Sequence, residues 1–327
     1  MSGKHLPTQF QEYIHMSRYS RWLEEKGRRE TWPETVKRYC DFFNNKFDGK
    51  FAETIYEELM PAILNLEVMP SMRALMTAGP ALAKDNLAGY NCSYLSISKP
   101  RHFSEVFYVL LNGVGVGFSC ERQFVSQLPE IPSSFSSTSE VVVVRDSKKG
   151  WAEAYRKMID GLYKGELYTY DTSKVRPAGA RLKTFGGRAS GPGPLNELFS
   201  YTEGLFKQAA GRKLSSIEVH GLVCMIASVV VVGGVRRSAL ISLSNLSDQR
   251  MRDAKSGAWW EDHPEYALAN NSIAYTEKPD VETYLQEWTS LVKSKSGERG
   301  IFNRVAAQKQ AARWGKRSEE LQYGCNP

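Results

Sequence analysis

The cysteines and histidines are the residues of this sequence best suited to bind a metal or to act as nucleophiles. The five cysteines are odd in number and lie far apart, at Cys40, Cys92, Cys120, Cys224 and Cys325. Such spacing does not suit a disulfide scaffold or a zinc site. The five histidines show no HxxxH or HExxH spacing that would place two ligands on one helical face. We therefore expect no protein-bound metal cluster, and we expect any disulfide to be transient and catalytic.

Cys92 follows Asn91 at the start of an apolar, strand-like run. Its thiol therefore points either into a core or toward the mouth of a site. Cysteine is among the most buried residue types, and only a lowered pKa makes a thiol reactive. From its immediate surroundings alone, a core position is the better interpretation.

Glycine-bearing segments allow backbone N–H groups to approach a phosphate, because glycine adopts positive φ without a side-chain clash. In residues 112–118 the glycines alternate, but no helix start follows, so this segment predicts a tightly packed strand rather than a dinucleotide site. Residues 176–192 combine four cationic side chains with four glycines. We interpret this segment as a mobile loop that contacts a phosphorylated ligand, since arginine binds phosphate oxygens bidentately. The alternative is a solvated basic turn.

Two further segments could serve either the fold or the binding of a ligand, and the sequence does not favour one role over the other. Residues 233–238 pair two glycines with two arginines, which either contact a phosphate or only end a buried element. Residues 269–272 are uncommonly polar between apolar neighbours. Their adjacent amides, Asn270 and Asn271, predict hydrogen bonds within the fold or to a ligand.

Composition and charge narrow the class of protein. The sequence is 42% hydrophobic and 24% charged, as in ordinary globular proteins. The longest apolar run, residues 221–235, is shorter than the roughly 20 residues of a membrane span, and the N-terminus shows no secretory signal, so we expect a cytoplasmic location. A net charge of +7 would suit nucleic acid, but lysine and arginine are interleaved with acidic residues. Small phosphorylated ligands fit better.

The elements that must position these residues change in character near residue 66. Before it, apolar residues spaced three and four apart predict helices over residues 8–50 and 51–63, with a helix start at Thr31. After it, short apolar runs alternate with helical stretches, which predicts an α/β fold with a largely buried sheet. The domains would be residues 1–65 and 66–327. The predicted strands are 94–97, 114–118, 141–144, 229–232 and 239–243, and the serine-rich residues 133–139 are expected to form a loop.

Taken together, these residues resemble the adenosylcobalamin-dependent (class II) ribonucleotide reductases, most closely their monomeric, triphosphate-reducing branch. The resemblance covers almost the whole chain, and the motifs are long and follow the family's order. They are residues 17–22, 29–32, 69–73, 91–92, 112–118, 146–151, 176–192, 233–239, 269–272, 300–303 and 324–327.

The resemblance implies a ten-stranded α/β barrel of two five-stranded halves, with a finger loop that carries the radical cysteine. This chain would supply the helical N-terminal region and the first half. Cys92 matches the cysteine that reduces the substrate and ends in a disulfide. Met69, Pro70, Ser71 and Asn91 match groups around the ribose. Asn326 matches the amide that binds a ribose hydroxyl, and is counted with Cys92 among the catalytic residues.

The implied activity is reduction of ribonucleoside triphosphates to 2′-deoxyribonucleotides, which are DNA precursors, by a thiyl-radical mechanism. Adenosylcobalamin would be the cofactor and a thioredoxin-like protein the reductant, and no residue is matched to the cobalamin. A deoxynucleoside triphosphate effector would bind an insertion at about residues 124–170 and act through a movable loop. The matched effector and loop residues are Asp146, Ser147, Lys148, Arg176, Ala178, Gly179, Arg181 and Lys183.

The family pattern continues after residues 324–327 with the radical cysteine and an acid glutamate, whereas this sequence stops at Pro327. Cys325 is not the radical cysteine, and the second cysteine of the reducing pair has no match here. We therefore expect this chain to need the C-terminal half of the reductase as a partner and to be inactive alone. An interrupted gene, a split gene and a truncated chain remain open as causes.

Two other functions compete with this one. A class I reductase large subunit would take its radical from a separate metalloprotein, but the long segment 124–170 and the lack of an N-terminal ATP-binding module argue against it. A non-catalytic fragment that keeps only nucleotide binding is the second alternative. It would bind deoxynucleotides without activity even when the missing half is supplied.

Overall fold

The computed structural model describes residues 5–180, 188–231 and 239–327. Contacts divide the chain into two compact units, of which the first ends at Asn91 and the second begins at Cys92. Each unit has its own cluster of buried apolar side chains. The domain boundary at residue 65 was predicted from the change in the apolar pattern along the sequence, and it stays a prediction.

Short helices make up most of the first unit. They are α1 (Gln9–Ile14), α2 (Trp32–Lys46), α3 (Met60–Leu64), α4 (Met72–Thr77) and α5 (Pro80–Lys84), with π-helical turns at His15–Tyr19 and Thr54–Leu59 and 3₁₀ turns at Glu24–Lys26 and Asn86–Gly89. Thr31 caps α2 and Glu34 completes the capping box, which confirms the predicted helix start. A two-stranded ribbon, β1 (Trp22–Leu23) and β2 (Arg28–Arg29), interrupts the helical pattern predicted for residues 8–50, because Gly27 turns the chain at φ 59°.

One face of α2 carries the core of the first unit. Trp32, Val36 and Cys40 recur every four residues and are all buried. The indole Nε1 of Trp32 also donates to the carbonyl of Leu64 at 3.1 Å, at the end of α3. Burial of such side chains stabilises a fold by roughly 1.5–3 kcal/mol each, so this face holds the short helices together.

A parallel sheet organises the second unit. Among the described residues its five strands follow the order β3-β4-β7-β8-β9. They are β3 (Cys92–Ser96), β4 (Gly115–Ser119), β7 (Leu240–Ser244), β8 (Ala269–Tyr275) and β9 (Gly300–Asn303). The helices between and after them are α6 (Arg101–Leu111), α7 (Arg122–Val125), α9 (Gly193–Gln208), α10 (Ser216–Val231), α11 (Gln249–Asp253), α12 (Trp259–Asp262), α13 (Val281–Ser294) and α14 (Arg304–Ala312), with a 3₁₀ turn at Pro264–Leu268. The predicted α/β class is confirmed.

A second, smaller sheet lies within the segment between β4 and β7. Its parallel strands β5 (Ser136–Val143) and β6 (Glu166–Asp171) are joined through α8 (Lys148–Leu162). The buried face of α8 includes Tyr155, whose ring meets that of Phe107 on α6 edge to face. The loop predicted for residues 133–139 is wrong in its second part, where β5 begins at Ser136.

The strand predicted for residues 229–232 is wrong, because α10 continues through Val231. This helix is apolar nearly all round, since it lies within the core of the second unit. A fully buried helix shows no periodic alternation of apolar and polar residues, so the sequence of its β-branched end predicts a strand instead. In the part of the chain that the structure describes, no helix is long and apolar enough to cross a membrane.

Candidate active site

Residues 323–327, here called the terminal segment, lie on strands β3 and β4. The Sγ of Cys92 donates a hydrogen bond to the carbonyl oxygen of Pro327 at 2.7 Å. Cys92 pairs with Gly115 in the sheet register, so this contact lies at the amino ends of both strands. The structure thus brings Cys92 and the motif that contains Asn326 together, although 235 positions separate Cys92 from Pro327.

The alternating glycines of β4 leave room for this segment. A Cβ on Gly115 would lie 2.8 Å from Cγ of Pro327, and a Cβ on Gly117 would overlap the carbonyl oxygen of Cys325. Alternate residues of a strand face the same side, so the two glycines form a flat path for the chain above them. The tightly packed strand predicted from this motif is confirmed.

Cys92 is only partly buried, so the core position expected from its surroundings alone is wrong. The thiols of Cys40, Cys120 and Cys224 are buried instead. Burial raises the pKa of Cys40 to about 11 and that of Cys120 to about 12, and it also raises the pKa of Cys224. These three thiols stay protonated near neutral pH and are poor nucleophiles.

The other end of the terminal segment is held by a buried arginine. Arg304 begins α14, and its Nε donates to the carbonyl of Tyr323 at 2.8 Å. Its two terminal nitrogens donate to the carboxylate of Glu121 at 2.9 and 2.6 Å. Sequence reasoning missed both residues, because 183 positions separate them and neither belongs to a polar cluster in the sequence.

The residues matched to the ribose lie mostly in the first unit. Met69, Ser71 and Asn91 are exposed and Pro70 is half-buried, and Ser71 directly precedes α4. Cys92 and Asn326 lie in the second unit. The convergence of these groups on one ribose therefore stays a prediction.

The end of α4 opposite Ser71 is held by two arginines. Arg21 donates to the carbonyl of Met76 at 3.1 and 2.7 Å, and Arg38 donates to that of Ala78 at 2.7 Å. Cations are favourable at a helix carboxyl end. The carboxylate of Glu30 accepts from Arg38 at 2.7 and 3.0 Å and from the backbone N–H of Arg21 at 3.1 Å. The motifs at residues 17–22 and 29–32 thus fix the helix that follows the ribose motif.

Two of the effector residues form an ion pair. Asp146 Oδ2 accepts from Arg176 Nε at 2.7 Å, which joins the segment before α8 to the basic loop. Ser147 caps α8 and accepts from the backbone N–H of Gly150 at 3.0 Å. Lys148 Nζ donates to the amide oxygen of Asn112 at 3.1 Å.

The basic loop is described only at its two ends. Gly179 adopts φ 84° and donates from its backbone to the carbonyl of Ala189 at 2.8 Å. Ala178 packs beside Gly191. A Cβ added to Gly191 would lie 2.9 Å from the backbone nitrogen of Ala178. Arg181 and Lys183 lie outside the described residues, as does the glycine–arginine motif at 233–238. Their predicted phosphate contacts stay predictions.

The polar motif of β8 bonds to a carboxylate. Glu298 accepts from the Asn270 side chain at 3.1 Å and from the Asn271 backbone N–H at 3.0 Å. Lys255 Nζ lies 2.9 Å from the same carboxylate. Asn270 thus forms the side-chain hydrogen bond predicted for it. Asn271 bonds to Glu298 only through its backbone, and its side-chain Oδ1 is buried without a hydrogen-bond partner among the described residues.

Metal-ligating side chains do not cluster in the described parts of the chain. Over residues 5–180, 188–231 and 239–327, no three or more His, Cys, Asp or Glu side chains are placed to hold one ion. The chemistry that the described residues bring together is that of a partly exposed thiol beside a fixed backbone segment.

Comparison with protein families gives two matches. Residues 132–204 match the insertion domain of B12-dependent ribonucleotide reductase. Residues 2–80 match the ribonucleotide reductase alpha domain. The first match spans the smaller sheet and most of α9, and the second spans most of the first unit.

Curated relatives and a solved structure agree with these matches. An adenosylcobalamin-dependent ribonucleoside-triphosphate reductase from Lacticaseibacillus paracasei is 29% identical over 87% of this chain and 47% of its own. A putative reductase of the same name from Mycobacterium phage D29 is 28% identical over 76% of this chain and 42% of its own. A crystal structure of a B12-dependent (class II) ribonucleotide reductase superposes with a TM-score of 0.70 and 25% identity, over 81% of this chain and 45% of that one. The chain thus spans about half the length of the curated relatives it matches.

Proposed function

The chain matches the B12-dependent, class II ribonucleotide reductases over the N-terminal part of their length, and from this premise we propose that it is the N-terminal portion of a ribonucleoside-triphosphate reductase. The observation that carries the proposal is the 2.7 Å hydrogen bond between the Cys92 thiol and the Pro327 carbonyl. It sets the thiol matched to substrate reduction against the segment matched to the finger loop.

In this proposal Cys92 is one of two thiols that reduce the ribose. Two thiols give up two electrons and two protons and become a disulfide. The 2′-hydroxyl leaves as water and a hydrogen takes its place on C2′. Met69, Pro70, Ser71, Asn91 and Asn326 orient the ribose, and Asn326 binds one of its hydroxyl groups.

Adenosylcobalamin is the proposed cofactor, since the curated relatives are named for their dependence on it. When bound, it supplies the radical from which the family's thiyl radical arises. The residues of this chain assigned to catalysis would hold the ribose and supply a thiol.

Effector control is proposed for the segment around the Asp146–Arg176 pair. A deoxynucleoside triphosphate bound near α8 would change the conformation of the basic loop through Arg176, Ala178, Gly179, Arg181 and Lys183. A guanidinium already paired with a carboxylate can exchange that partner for a phosphate. The loop would then favour one base at the substrate site, which is a coupling between two sites.

The partners follow from the same proposal. The C-terminal half of the reductase completes the ten-stranded barrel, and a thioredoxin-like protein restores the two thiols. We place the reaction in the cytoplasm. Neither nucleic acid nor a membrane is a partner.

The experiment is nucleotide reduction with adenosylcobalamin and dithiothreitol. This chain is assayed alone and then with a polypeptide that begins at the family's radical cysteine. We expect 2′-deoxynucleotides only from the mixture, and only with cobalamin present. Reduction that needs a separate radical-generating metalloprotein in place of cobalamin would instead favour a class I large subunit. Deoxynucleotide binding without reduction by a folded mixture would favour a non-catalytic nucleotide-binding protein.

A further inference from the structure

Arg304 and Glu121 form the most deeply buried ion pair among the described residues. Both side chains are 1% exposed, and Arg304 Nη2 lies 2.6 Å from Glu121 Oε2. Glu121 follows β4 and Arg304 follows β9, so the pair spans the carboxyl edge of the sheet across β7 and β8. Ser119 Oγ donates to the Glu121 carboxylate at 2.7 Å and fixes its orientation.

Stability alone does not explain this pair. Removing two charges from water costs free energy, and replacing a buried pair with apolar side chains is often neutral or stabilising. A guanidinium has a rigid plane and several donors, so it holds several acceptors in one geometry. Here Arg304 uses two nitrogens for Glu121 and the third, Nε, for the carbonyl of Tyr323. The pair is thus built to hold a backbone oxygen in place.

That oxygen lies where the terminal segment meets the sheet. From Tyr323 at the carboxyl edge, the segment runs against the direction of β4. Cys325 lies over Gly117 and Pro327 lies over Gly115. The segment therefore advances two residues for every two residues of β4, in the opposite direction. A shift at Tyr323 therefore becomes a shift at Pro327 and changes its distance from the Cys92 thiol.

We propose that Arg304 and Glu121 are positioning residues that set the register of the terminal segment along β4 and thereby place Asn326 and Pro327 against Cys92. Neither touches the thiol. The structural claim stands on the contacts above, and its consequence for nucleotide reduction rests on the proposed function.

The test measures how fast the Cys92 thiol is alkylated by iodoacetamide, with modified cysteines quantified by peptide mass spectrometry. Glu121→Gln removes the charge and Arg304→Lys keeps the charge but removes the planar fork. We expect either variant to raise the alkylation rate of Cys92 about tenfold, which corresponds to about 1.4 kcal/mol of lost protection. Cys224, which is buried in α10 of the same unit, serves as the internal reference for global opening.

Glu287→Gln is the matched control. Glu287 pairs with Arg299 at 2.7 Å, and both side chains are buried. Among the described residues, the other hydrogen bonds of that pair go to Arg252 and to residues 244–248 rather than to the terminal segment. The control should lose stability and leave the alkylation rate of Cys92 unchanged.

An unchanged alkylation rate of Cys92 in both Glu121→Gln and Arg304→Lys would overturn the proposal. So would an equal rise at Cys92 and Cys224, or the same selective rise in Glu287→Gln. The nucleotide-reduction assay is scored separately. If Cys92 is selectively alkylated in the variants but the completed enzyme reduces no nucleotide, the proposed function is contradicted and the positioning role of Arg304 and Glu121 is supported. If the completed enzyme reduces nucleotides but Cys92 is not selectively alkylated in the variants, the positioning role is contradicted and the proposed function is supported.

Discussion

Gly117 leaves no room for a side chain, because a Cβ placed on it would overlap the carbonyl oxygen of Cys325. In an open strand, alanine in place of glycine would stabilise the protein by roughly 0.5–1 kcal/mol. The contact with the terminal segment reverses that expectation. One methyl group therefore reports whether the segment lies on β4.

Gly117→Ala is expected to displace the terminal segment. Alkylation of Cys92 by iodoacetamide should become faster while buried Cys224 stays protected, since the loss is local. Gly204→Ala in α9 is the matched control, because nothing lies within 4 Å of its added Cβ. The control should stabilise the chain slightly. An unchanged alkylation rate of Cys92 in Gly117→Ala would show that the segment does not lie on the glycines.

The Glu30–Arg38 pair should matter for the stability of the first unit. Its side chains are 4% and 16% exposed. Glu30→Gln leaves Arg38 without its buried counter-charge, so the free energy of unfolding should fall by about 3 kcal/mol in urea titration. Lys37→Gln in α2 is the control, since the Lys37 side chain is 62% exposed and an exposed pair such as Lys37–Asp41 contributes about 0.5 kcal/mol or less. Equal losses in the two variants would contradict the assigned role of Glu30.

His220 should make the second unit sensitive to acid. Burial lowers the pKa of His220 from 6.5 to about 3, so the unfolded chain binds one more proton than the folded chain between these values. The stabilisation is complete above pH 6.5 and is lost as the pH falls toward 3, by up to about 1.4 kcal/mol per pH unit.

His220→Gln should flatten the decline of unfolding free energy between pH 6.5 and 4.5, as measured by denaturant titration at each pH. Ser242→Ala is the control, because it removes the Oγ that lies 3.1 Å from His220 Nδ1 and keeps the imidazole buried. It should lower stability and keep the slope. The same slope in His220→Gln as in the unmodified chain would show that His220 does not titrate in this way.

The effector proposal predicts separate effects on stability and on binding at Arg176. Its side chain is 38% exposed and that of Asp146 is 30% exposed, so Arg176→Ala should change the unfolding free energy by less than about 1 kcal/mol. Affinity for deoxynucleoside triphosphates, measured by calorimetry, should fall about tenfold through loss of a phosphate contact. Arg156→Ala, an exposed arginine of α8 paired with Asp160, should bind normally. Equal affinity in both variants would contradict the assignment of Arg176.

Local signals in the sequence predicted much of this structure. The capping box at Thr31 fixed the start of α2 because its hydrogen bonds lie within four residues. The alternating glycines at 115 and 117 correctly predicted close packing, but what packs there is 208 or more positions away in the chain. The valines from residue 229 were predicted to form a strand but belong to α10. A helix buried on all sides shows no helical spacing of apolar residues, so the sequence could not distinguish it from a strand.

Tertiary contacts account for what the sequence could not predict. Arg304 and Glu121 are single charged residues among 79 in the chain, and only the folded sheet brings them together. Cys92 was expected in a core because cysteine is among the most buried residue types and an apolar, strand-like run follows it. Every residue of β3, an edge strand of the five-stranded sheet, is instead only partly buried. Its matched role came from the family resemblance rather than from its surroundings.

The most direct test of the central claim is the yield of 2′-deoxynucleotide in a single turnover. The enzyme completed with the C-terminal polypeptide is reduced, freed of dithiothreitol, and mixed with adenosylcobalamin and a ribonucleoside triphosphate. We predict that the unmodified protein forms deoxynucleotide and that Cys92→Ser forms none, because serine cannot supply the electrons of a thiol. Equal yields from the two proteins would contradict the assignment of Cys92 as the reducing cysteine and, with it, the proposed function of this chain.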